Sequence, residues 1–256
     1  VTKKQDTIKV AEIMATHFEV KNEYIKEAKE FVPSSRPRIR IVMKDVEKWL
    51  TDSVGLVSVM YANNEVGTIQ PVVRIGKLIA QVRKKNRTQF PLFHVDACQA
   101  AGYLPMNVRQ LGADLLTLNG SKIGGPRGVG VLYVKRGVQL EPMIRGGDQE
   151  HGMRAGTENV PAIVGIAQAI TEIDVREVAR LSVLRDFFFS GVVKIIPNVR
   201  INGAQGKDRL PQNIHISIPG LESEIVLLEL DAHGIRAGSG SACTSRSVEP
   251  SHVLRA

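Results

Sequence analysis

Lys122 stands between the apolar run "ADLLTL" and a glycine-rich turn, in the stretch "LNGSKIGGPRGVGVLYV". A lysine at the end of a buried strand is costly unless its amine stays neutral, is paired or is bonded to another group. Other polar residues also follow apolar runs, at the strand ends where open α/β sheets bind ligands. These residues are Asn63, Asn64, Glu65, Asp96, Gln99, Asn119 and Ser121, with Arg154, Gly156 and Thr157 on a later loop.

An amine, a carboxylate and several amides at one sheet edge suit the needs of pyridoxal phosphate. Its aldehyde requires a lysine, and its pyridine nitrogen requires a carboxylate that keeps the nitrogen protonated, so that the ring accepts electrons. Its phenolic oxygen takes a hydrogen bond from an amide. Taken singly, Asp96 as a strand-end cap, Lys122 as a surface residue and Asn64 as a turn former are the simpler interpretations. Their joint occurrence in this order favours a cofactor site.

The elements that must position these residues alternate between short apolar strands and helices from residue 56 onward. This alternation predicts a mainly parallel sheet covered by helices. The expected strands are "GLVSVMY", "FPLFHVDA", "ADLLTL" and "GVGVLYV", and the expected helices are "VVRIGKLIAQVRKK" and "VRQLG". Ahead of them we expect a helix in "EYIKEAKEF", a strand in "RIRIVM" and a short helix in "KDVEKWL".

Two longer helices, in residues 160–174 and 177–196, lead into a different pattern. It predicts a smaller α+β unit, because short strands and one helix follow in a mixed order. The expected elements are the strands "NVRING", "NIHISI" and "IRAGSG" and the helix "ESEIVLLELDAHG".

The net charge of +8 is compatible with a nucleic-acid surface, but the basic residues are scattered and aromatic residues make up only 5% of the chain. We therefore expect an ordinary solvated surface and no direct nucleic-acid or membrane partner. The two cysteines, Cys98 and Cys243, form neither a CxxC pair nor a zinc-ligand spacing. Together with the lack of a signal-peptide pattern, they predict a cytoplasmic protein without a metal site.

Five motifs occur in order between residues 45 and 256 and resemble the cysteine desulfurases of the NifS/IscS type. These are fold-type I pyridoxal-phosphate enzymes, also called class V aminotransferases. The motifs are "VSVMYANNEVGTIQP", "FHVDACQAAG", "SKIGGPRGVGVLYV", "GGDQEHGMRAGTENVPAIVG" and "SGSACTSRSVEPSHVL". The resemblance implies an α/β fold with an incomplete large domain in residues 1–160, of which 1–44 match poorly. It also implies a partial small α+β domain in residues 161–256 that carries a cysteine loop.

The function implied by the resemblance is the conversion of L-cysteine to L-alanine, with an enzyme-bound persulfide on Cys243. A sulfur-acceptor protein, such as an iron–sulfur scaffold, would then take the sulfur. Lys122 resembles the Schiff-base lysine that also moves the proton at the substrate Cα. Asp96 resembles the partner of the pyridinium nitrogen. Cys98, by contrast, is expected to be a small buried filler of the core.

Further cofactor contacts are implied by the same resemblance. Gln99 and Asn64 match residues that contact the phenolic oxygen and the cofactor or substrate. Thr157 matches a threonine that reaches the cofactor phosphate of the other subunit in a homodimer. Asn119 and Ser121 belong to the cofactor-binding turn, where the family usually has a phosphate-contacting histidine in place of Ser121.

Some family features have no match in this sequence. The phosphate-cradling segment at the front of the family's chain is not matched, and Arg255 does not correspond to the arginine that binds the substrate carboxylate. Truncation, a gene fragment or a degenerate homologue would give this pattern. Two alternatives remain open from sequence: a selenocysteine lyase, and a non-catalytic remnant that only dimerises or binds a partner.

Overall fold

The structure, a computed structural model, describes residues 40–240 and 251–255. The helix predicted in "EYIKEAKEF" and the proposed sulfur acceptor Cys243 lie outside these residues. The chain forms two compact units. The sheet unit comprises residues 42–61 and 71–175, and the C-terminal unit comprises the described parts of 1–41, 62–70 and 176–256. The domain boundary expected between residues 160 and 161 stays a prediction, and the chain changes unit after Val175.

The sheet unit confirms the predicted alternation of strands and helices. Its elements are α1 (Met43–Trp49), β1 (Leu56–Met60), α2 (Val72–Asn86), β2 (Leu92–Asp96), α3 (Val108–Leu111), β3 (Leu115–Asn119), β4 (Gly130–Val134) and α4 (Val160–Thr171). The strand order is β1-β2-β3-β4. The first two pairings are parallel and the last is antiparallel, so the sheet is mainly parallel as expected.

Helix α2 covers the sheet because its apolar residues recur at helical spacing. Val72, Ile75 and Ile79 are buried, whereas the charged residues Arg74 and Lys77 between them are exposed. This is the pattern of an amphipathic helix with one face in the core.

A glycine at position 76 allows α2 to approach α3 closely. A Cβ atom at Gly76 would lie 2.3 Å from the carbonyl oxygen of Leu111, far inside van der Waals contact. Asn107 caps α3, because its side-chain oxygen accepts the N–H groups of Arg109 and Gln110.

The two faces of the sheet differ in polarity: one mixes polar residues with apolar ones such as Leu115, and the other is apolar. Residues paired side by side point to the same face, and the pairs include Ser58 with His94 and Asp96 with Thr117. All four of these polar side chains are half-buried or exposed. The residues of the opposite face, at the intervening positions, include the buried Val59, Phe93, Val95 and Leu116. Asp96 therefore ends a strand on the polar face.

The C-terminal unit contains the predicted smaller α+β arrangement. Its elements are α5 (Val175–Ile195, whose first residue belongs to the sheet unit), β5 (Arg200–Ile201), β6 (Ile216–Ser217), α6 (Ser223–Ala232) and α7 (His252–Arg255). β5 and β6 pair antiparallel. Val192 and Ile196, on α5 and just beyond its end, pack with Val226 and Leu230 of α6 in a buried core.

One predicted strand is wrong, and a second, in "RIRIVM", forms no strand in residues 40–43, the part that the structure describes. In "RIRIVM", Val42 precedes α1 and its carbonyl oxygen accepts the N–H groups of Asp45 and Val46, so that the chain enters a helix. In "IRAGSG", Ile235 N–H donates to Leu230 O in the turn that closes α6. Within residues 40–240 and 251–255 no strand pairs with 235–240, and a strand is not stable without a partner.

Within the same described ranges, no helix is long and apolar enough to cross a membrane.

Candidate active site

Asp96 lies at the carboxyl end of β2, between β1 and β3. Its backbone carbonyl accepts the N–H of Tyr61 at 2.8 Å, and the next residue, Ala97, donates its N–H to Thr117 O at 3.0 Å. Its side-chain Oδ1 accepts the N–H of Cys98 at 3.0 Å. The carboxylate is therefore held by the turn that follows the strand while remaining half-buried. Gln99, also half-buried, lies in that turn.

The lysine turn begins where β3 ends. Asn119 Oδ1 accepts both the N–H of Ser121 at 3.0 Å and its hydroxyl at 2.9 Å. These bonds cap a single 3-10 turn, Gly120–Lys122, which leaves Lys122 exposed at its end. Among the residues that the structure describes, Lys122 makes no hydrogen bond or ion pair. Its amine is therefore uncommitted within the described part of the chain.

Gly120 makes this tight turn possible. A Cβ at this position would lie 2.9 Å from Pro126 O and 3.0 Å from a methyl group of Val129. The Gly120 N–H donates to Val129 O, and its carbonyl accepts the N–H of Gly125 at 2.9 Å. The glycine-rich sequence therefore folds back on the lysine and fixes its backbone.

The turn and Asp96 share one edge of the sheet. Asp96 pairs with Thr117, and β3 continues only two residues further, to Asn119. At about 3.3 Å per residue, Asn119 lies roughly 7 Å beyond the level of Asp96. The structure thus brings Asp96, Gln99, Asn119, Ser121 and Lys122 to one region of the sheet unit, as the sequence predicts.

A hydrogen-bonded network beside Asp96 was missed by the sequence analysis. His94 Nδ1 lies 2.7 Å from Ser58 Oγ, and His94 Nε2 lies 3.3 Å from Thr117 Oγ1. The sequence could have indicated it, because His94 and Asp96 are two residues apart in a strand and therefore lie on the same face of the sheet. The network orders the polar face on which the candidate carboxylate lies.

Cys98 is half-buried, whereas a buried filler of the core was expected, and its environment makes it a poor nucleophile. Burial raises the pKa of its thiol to about 11, and a hydrogen bond to Asp96 and the negative charge of that carboxylate act in the same direction. A weaker hydrogen bond with Thr117 opposes them. Because the thiolate is the reactive form, Cys98 is nearly inert at neutral pH.

Thr157 lies on a separate loop that precedes α4. It is exposed, and the adjacent Gly156 adopts φ +102° while donating its N–H to Gln149 Oε1 at 3.1 Å. Asn159 then caps α4 by accepting the N–H of Ala162. The structure shows no contact between Thr157 and the sheet edge, and its expected role toward a second subunit stays a prediction.

Asn64 belongs to the C-terminal unit, in residues 62–70, and its side chain is exposed. The neighbouring Asn63 builds the turn, since its Oδ1 accepts the N–H groups of Glu65 and Val66 at 2.9 Å each. Asn64 is therefore presented at the tip of a well-bonded turn.

The groups present fit the ring half of pyridoxal phosphate. Asp96 offers a half-buried carboxylate for the ring nitrogen, and Lys122 offers an uncommitted amine for the aldehyde. The phosphate half is less well provided for at this turn, because the Ser121 hydroxyl already donates to Asn119. A mainly parallel α/β sheet with a lysine and a carboxylate at one strand edge matches the arrangement that a pyridoxal-phosphate site requires.

The chain belongs to the class V aminotransferase family: the family model described as "Aminotransferase class-V" matches residues 8–256. Members of this family depend on pyridoxal phosphate, as the sequence predicts.

The curated relatives are cysteine desulfurases. The chain is 44% identical over 216 residues to cysteine desulfurase IscS of Dictyoglomus turgidum, covering 83% of this chain and 52% of the relative. It is also 44% identical over 219 residues to cysteine desulfurase 2 of Trichormus variabilis, covering 85% of this chain and 53% of the relative. The chain thus spans about half the length of the curated relatives that it matches.

Solved structures share the fold. One titled "NifS-like protein" superposes with a TM-score of 0.72 at 31% identity, covering 98% of this chain and 70% of that chain. The NifS-like protein from Rickettsia africae gives a TM-score of 0.69 at 29% identity, covering 97% of this chain and 69% of that one. The expected fold class is confirmed.

Proposed function

We propose that this chain carries the activity of a pyridoxal-phosphate-dependent cysteine desulfurase. The net reaction converts L-cysteine and the thiol of Cys243 to L-alanine and a persulfide on Cys243. The observation that supports this most strongly is the sheet edge, where the uncommitted amine of Lys122 follows the strand that pairs with Asp96. The curated relatives named as cysteine desulfurases support the choice of reaction.

The roles of the residues follow from their chemistry. When bound, pyridoxal phosphate supplies an electron sink that makes the Cα proton of an amino acid acidic. Lys122 would hold its aldehyde carbon and, as a free amine, would take the Cα proton of the substrate. Asp96 would keep a proton on the ring nitrogen. Asn64 and Gln99 would contact the cofactor or the substrate through their amide groups.

The phosphate contacts are the next part of the proposal. Asn119 and Ser121 belong to the same turn as Lys122. The side-chain oxygen of Asn119 accepts the hydrogen bonds of Ser121, so the amide nitrogen of Asn119 remains available as a donor. Thr157 would reach the phosphate of a second subunit in a homodimer.

Sulfur transfer requires the Cys243 thiolate. It attacks the sulfur of the substrate, an S–S bond forms, the Cβ–S bond breaks, and the electron pair of that bond remains on the carbon, which is protonated to give alanine. Cys98 is unsuited to this step because the pKa of its thiol is raised to about 11 by burial and by Asp96. A sulfur-acceptor protein, such as an iron–sulfur scaffold in the cytoplasm, would then receive the sulfur.

The test is mass spectrometry of the chain after incubation with pyridoxal phosphate and L-cysteine, with alanine measured in parallel. The proposal predicts alanine release and a mass gain of one sulfur on the peptide that contains Cys243, and neither in a Cys243→Ala variant. Alanine without sulfur on Cys243, or sulfur on Cys98, would contradict the assignment. Selenide release from selenocysteine without sulfur release from cysteine would instead indicate a selenocysteine lyase.

A further inference from the structure

The segment 62–70 is held within the C-terminal unit by hydrogen bonds along most of its length. Leu210 N–H donates to Gly67 O at 2.8 Å, and Ile69 N–H donates to Asp208 O at 2.9 Å. Thr68 Oγ1 accepts the N–H of Ala204 at 3.0 Å. The segment that presents Asn64 is therefore a fixed part of this unit.

Glu65 occupies the centre of the segment and is only 8% exposed. Asn213 Nδ2 donates to the Glu65 carbonyl oxygen at 2.8 Å and fixes its backbone. A buried carboxylate is costly unless it receives hydrogen bonds. Within the described ranges, the donor to this carboxylate is the hydroxyl of Ser251, with Oγ 2.5 Å from Glu65 Oε2.

Ser251 is eight residues after Cys243 and immediately precedes α7. Its carbonyl oxygen accepts the N–H of Leu254 at 3.0 Å, and its hydroxyl oxygen accepts the same N–H at 3.4 Å. The hydroxyl thus joins the start of α7 to Glu65. The residues 241–250 run between Gly240 and this anchored serine.

We propose that Glu65 is a positioning residue for sulfur transfer: its buried carboxylate holds Ser251 and so fixes the downstream end of the segment that carries Cys243. The inference rests on the proposed function, because the segment matters only if Cys243 accepts sulfur. Eight extended residues span at most about 28 Å, so an anchored Ser251 limits where Cys243 can go.

The arrangement also joins two parts of the proposed reaction. Asn64, a proposed contact to the cofactor or substrate, is the residue before Glu65. The segment 62–70 therefore presents Asn64 as a proposed contact, and the side chain of Glu65 holds the downstream end of the segment that carries Cys243.

The first experiment needs neither cofactor nor activity. Arg246 is the one trypsin site between Gly240 and Ser251, so its cleavage rate, followed by mass spectrometry, reports on the segment. We expect Ser251→Ala to accelerate cleavage at Arg246 about tenfold, and Ser251→Thr, which keeps the hydroxyl, to restore most of the wild-type rate. Cleavage at the exposed Arg136, in the sheet unit, should not change.

The matched control is Ser190→Ala. This exposed serine also lies in the C-terminal unit, but its hydroxyl donates to Phe187 O within α5 and does not touch Glu65. Its removal should leave cleavage at Arg246 unchanged. Glu65→Met, which replaces the carboxylate by an apolar chain of similar length, should accelerate cleavage as Ser251→Ala does. Adding Ser251→Ala to Glu65→Met should then have little further effect.

Equal cleavage in wild type and Ser251→Ala, or additive effects of the two substitutions, would overturn the inference. If the Glu65→Met chain does not fold by circular dichroism, Glu65→Gln takes its place, and a smaller effect of Ser251→Ala in that background is the expected result.

A second experiment separates this inference from the proposed function. In chain supplied with pyridoxal phosphate and L-cysteine, Ser251→Ala should lower the rate of persulfide formation on Cys243 three- to tenfold and leave labelling of Lys122 by borohydride unchanged. If wild-type chain forms no persulfide, the proposed function fails. The trypsin cleavage rates of the single and double variants still decide whether Glu65 holds Ser251. A variant that loses Lys122 labelling and persulfide together would contradict a positioning role.

Discussion

At the sheet edge, Lys122 and Ser121 are exposed, Asp96 is half-buried, and the lysine amine has no partner among the described residues. In the segment 62–70, by contrast, Glu65 and Thr68 are buried and hydrogen-bonded. Groups that are to react must keep bonding capacity for a ligand, whereas groups that hold the structure use theirs within the protein. The two regions should therefore differ in their response to mutation: at the sheet edge function should be far more sensitive than stability, whereas at Glu65 and Thr68 stability should be affected as well.

The largest effect is expected at Lys122. Lys122→Ala should reduce alanine formation by roughly 10²–10⁴-fold, the usual contribution of a positioned acid or base. The free energy of unfolding should change by no more than about 0.5 kcal/mol, because the side chain is exposed. Steady-state kinetics and urea unfolding test the two parts. A large loss of stability in Lys122→Ala, or activity near the wild-type level, would contradict the claim that the sheet edge serves function and not stability.

Asp114 in the sheet unit should behave like the buried carboxylate Glu65 and unlike Asp96. It is 2% exposed and accepts hydrogen bonds from Arg83, from Lys135 at 3.0 Å and from the Phe93 N–H at 2.9 Å. Removing one member of a buried ion pair leaves uncompensated charge. Asp114→Ala should therefore lower the free energy of unfolding by about 3–5 kcal/mol in urea titrations. A change below about 1 kcal/mol would contradict this.

The same carboxylate should make stability depend on acid. Burial alone would raise the pKa of Asp114, but the hydrogen bonds from Arg83, Phe93 N–H and Lys135 lower it below its usual range. Because the pKa of Asp114 is lower in the folded state, its carboxylate stabilises the folded protein fully at pH values above the unfolded pKa of about 3.9. This stabilisation is lost as the pH falls through the folded pKa. The wild-type urea midpoint should fall more steeply below pH 4 than that of Asp114→Asn. Parallel curves would exclude this contribution.

A smaller effect is expected from two glycine substitutions that differ in their surroundings. Gly67 has φ +68°, and a Cβ there would lie 2.6 Å from the Asn213 side chain, whereas Gly124 has φ +80° and no atom within 4 Å. Both Ala variants carry backbone strain, but only Gly67→Ala adds overlap. We expect it to be the less stable of the two by about 1–2 kcal/mol in urea unfolding. Equal losses would show that the contact at Asn213 relaxes.

The smallest expected effect is on the alkylation rate of the Cys98 thiol. Because burial and Asp96 raise the pKa of its thiol to about 11, its alkylation rate should rise about tenfold per pH unit from pH 7 to 10. Asp96→Asn removes the charge and should lower this pKa and speed the reaction at pH 8. Peptide-resolved alkylation measures both, and a rate that levels off below pH 9 would contradict the assignment.

The sequence predicted most of the sheet unit because its strands and helices are locally encoded. Alternating and helical apolar patterns located β1, β2, β3 and α2, and the glycine-rich turn located Lys122. The strand expected in "IRAGSG" was wrong, and the described residues 40–43 of "RIRIVM" form no strand, since a strand needs a partner that local pattern does not supply. Local sequence patterns likewise could not predict which distant segments form hydrogen bonds with each other.

The contacts of Glu65 show why part of the site could not be predicted. Ser251 lies 186 positions away in the chain, and the segment 62–70 joins the C-terminal unit through bonds from residues 204–213. Nothing in "ANNEVG" indicates these partners. Glu65 was noted only as one polar residue at a strand end, and its role follows from burial and from a long-range hydrogen bond.

Borohydride reduction of the chain with pyridoxal phosphate, followed by peptide mapping, tests the central claim most directly. The account predicts one stable pyridoxyl label, on the peptide that contains Lys122, and no label at that peptide in Lys122→Ala. The exposed Lys77 and Lys84, in the same unit, serve as internal controls for non-specific reaction. A predominant label on any lysine other than Lys122 would contradict the assignment of the candidate active site.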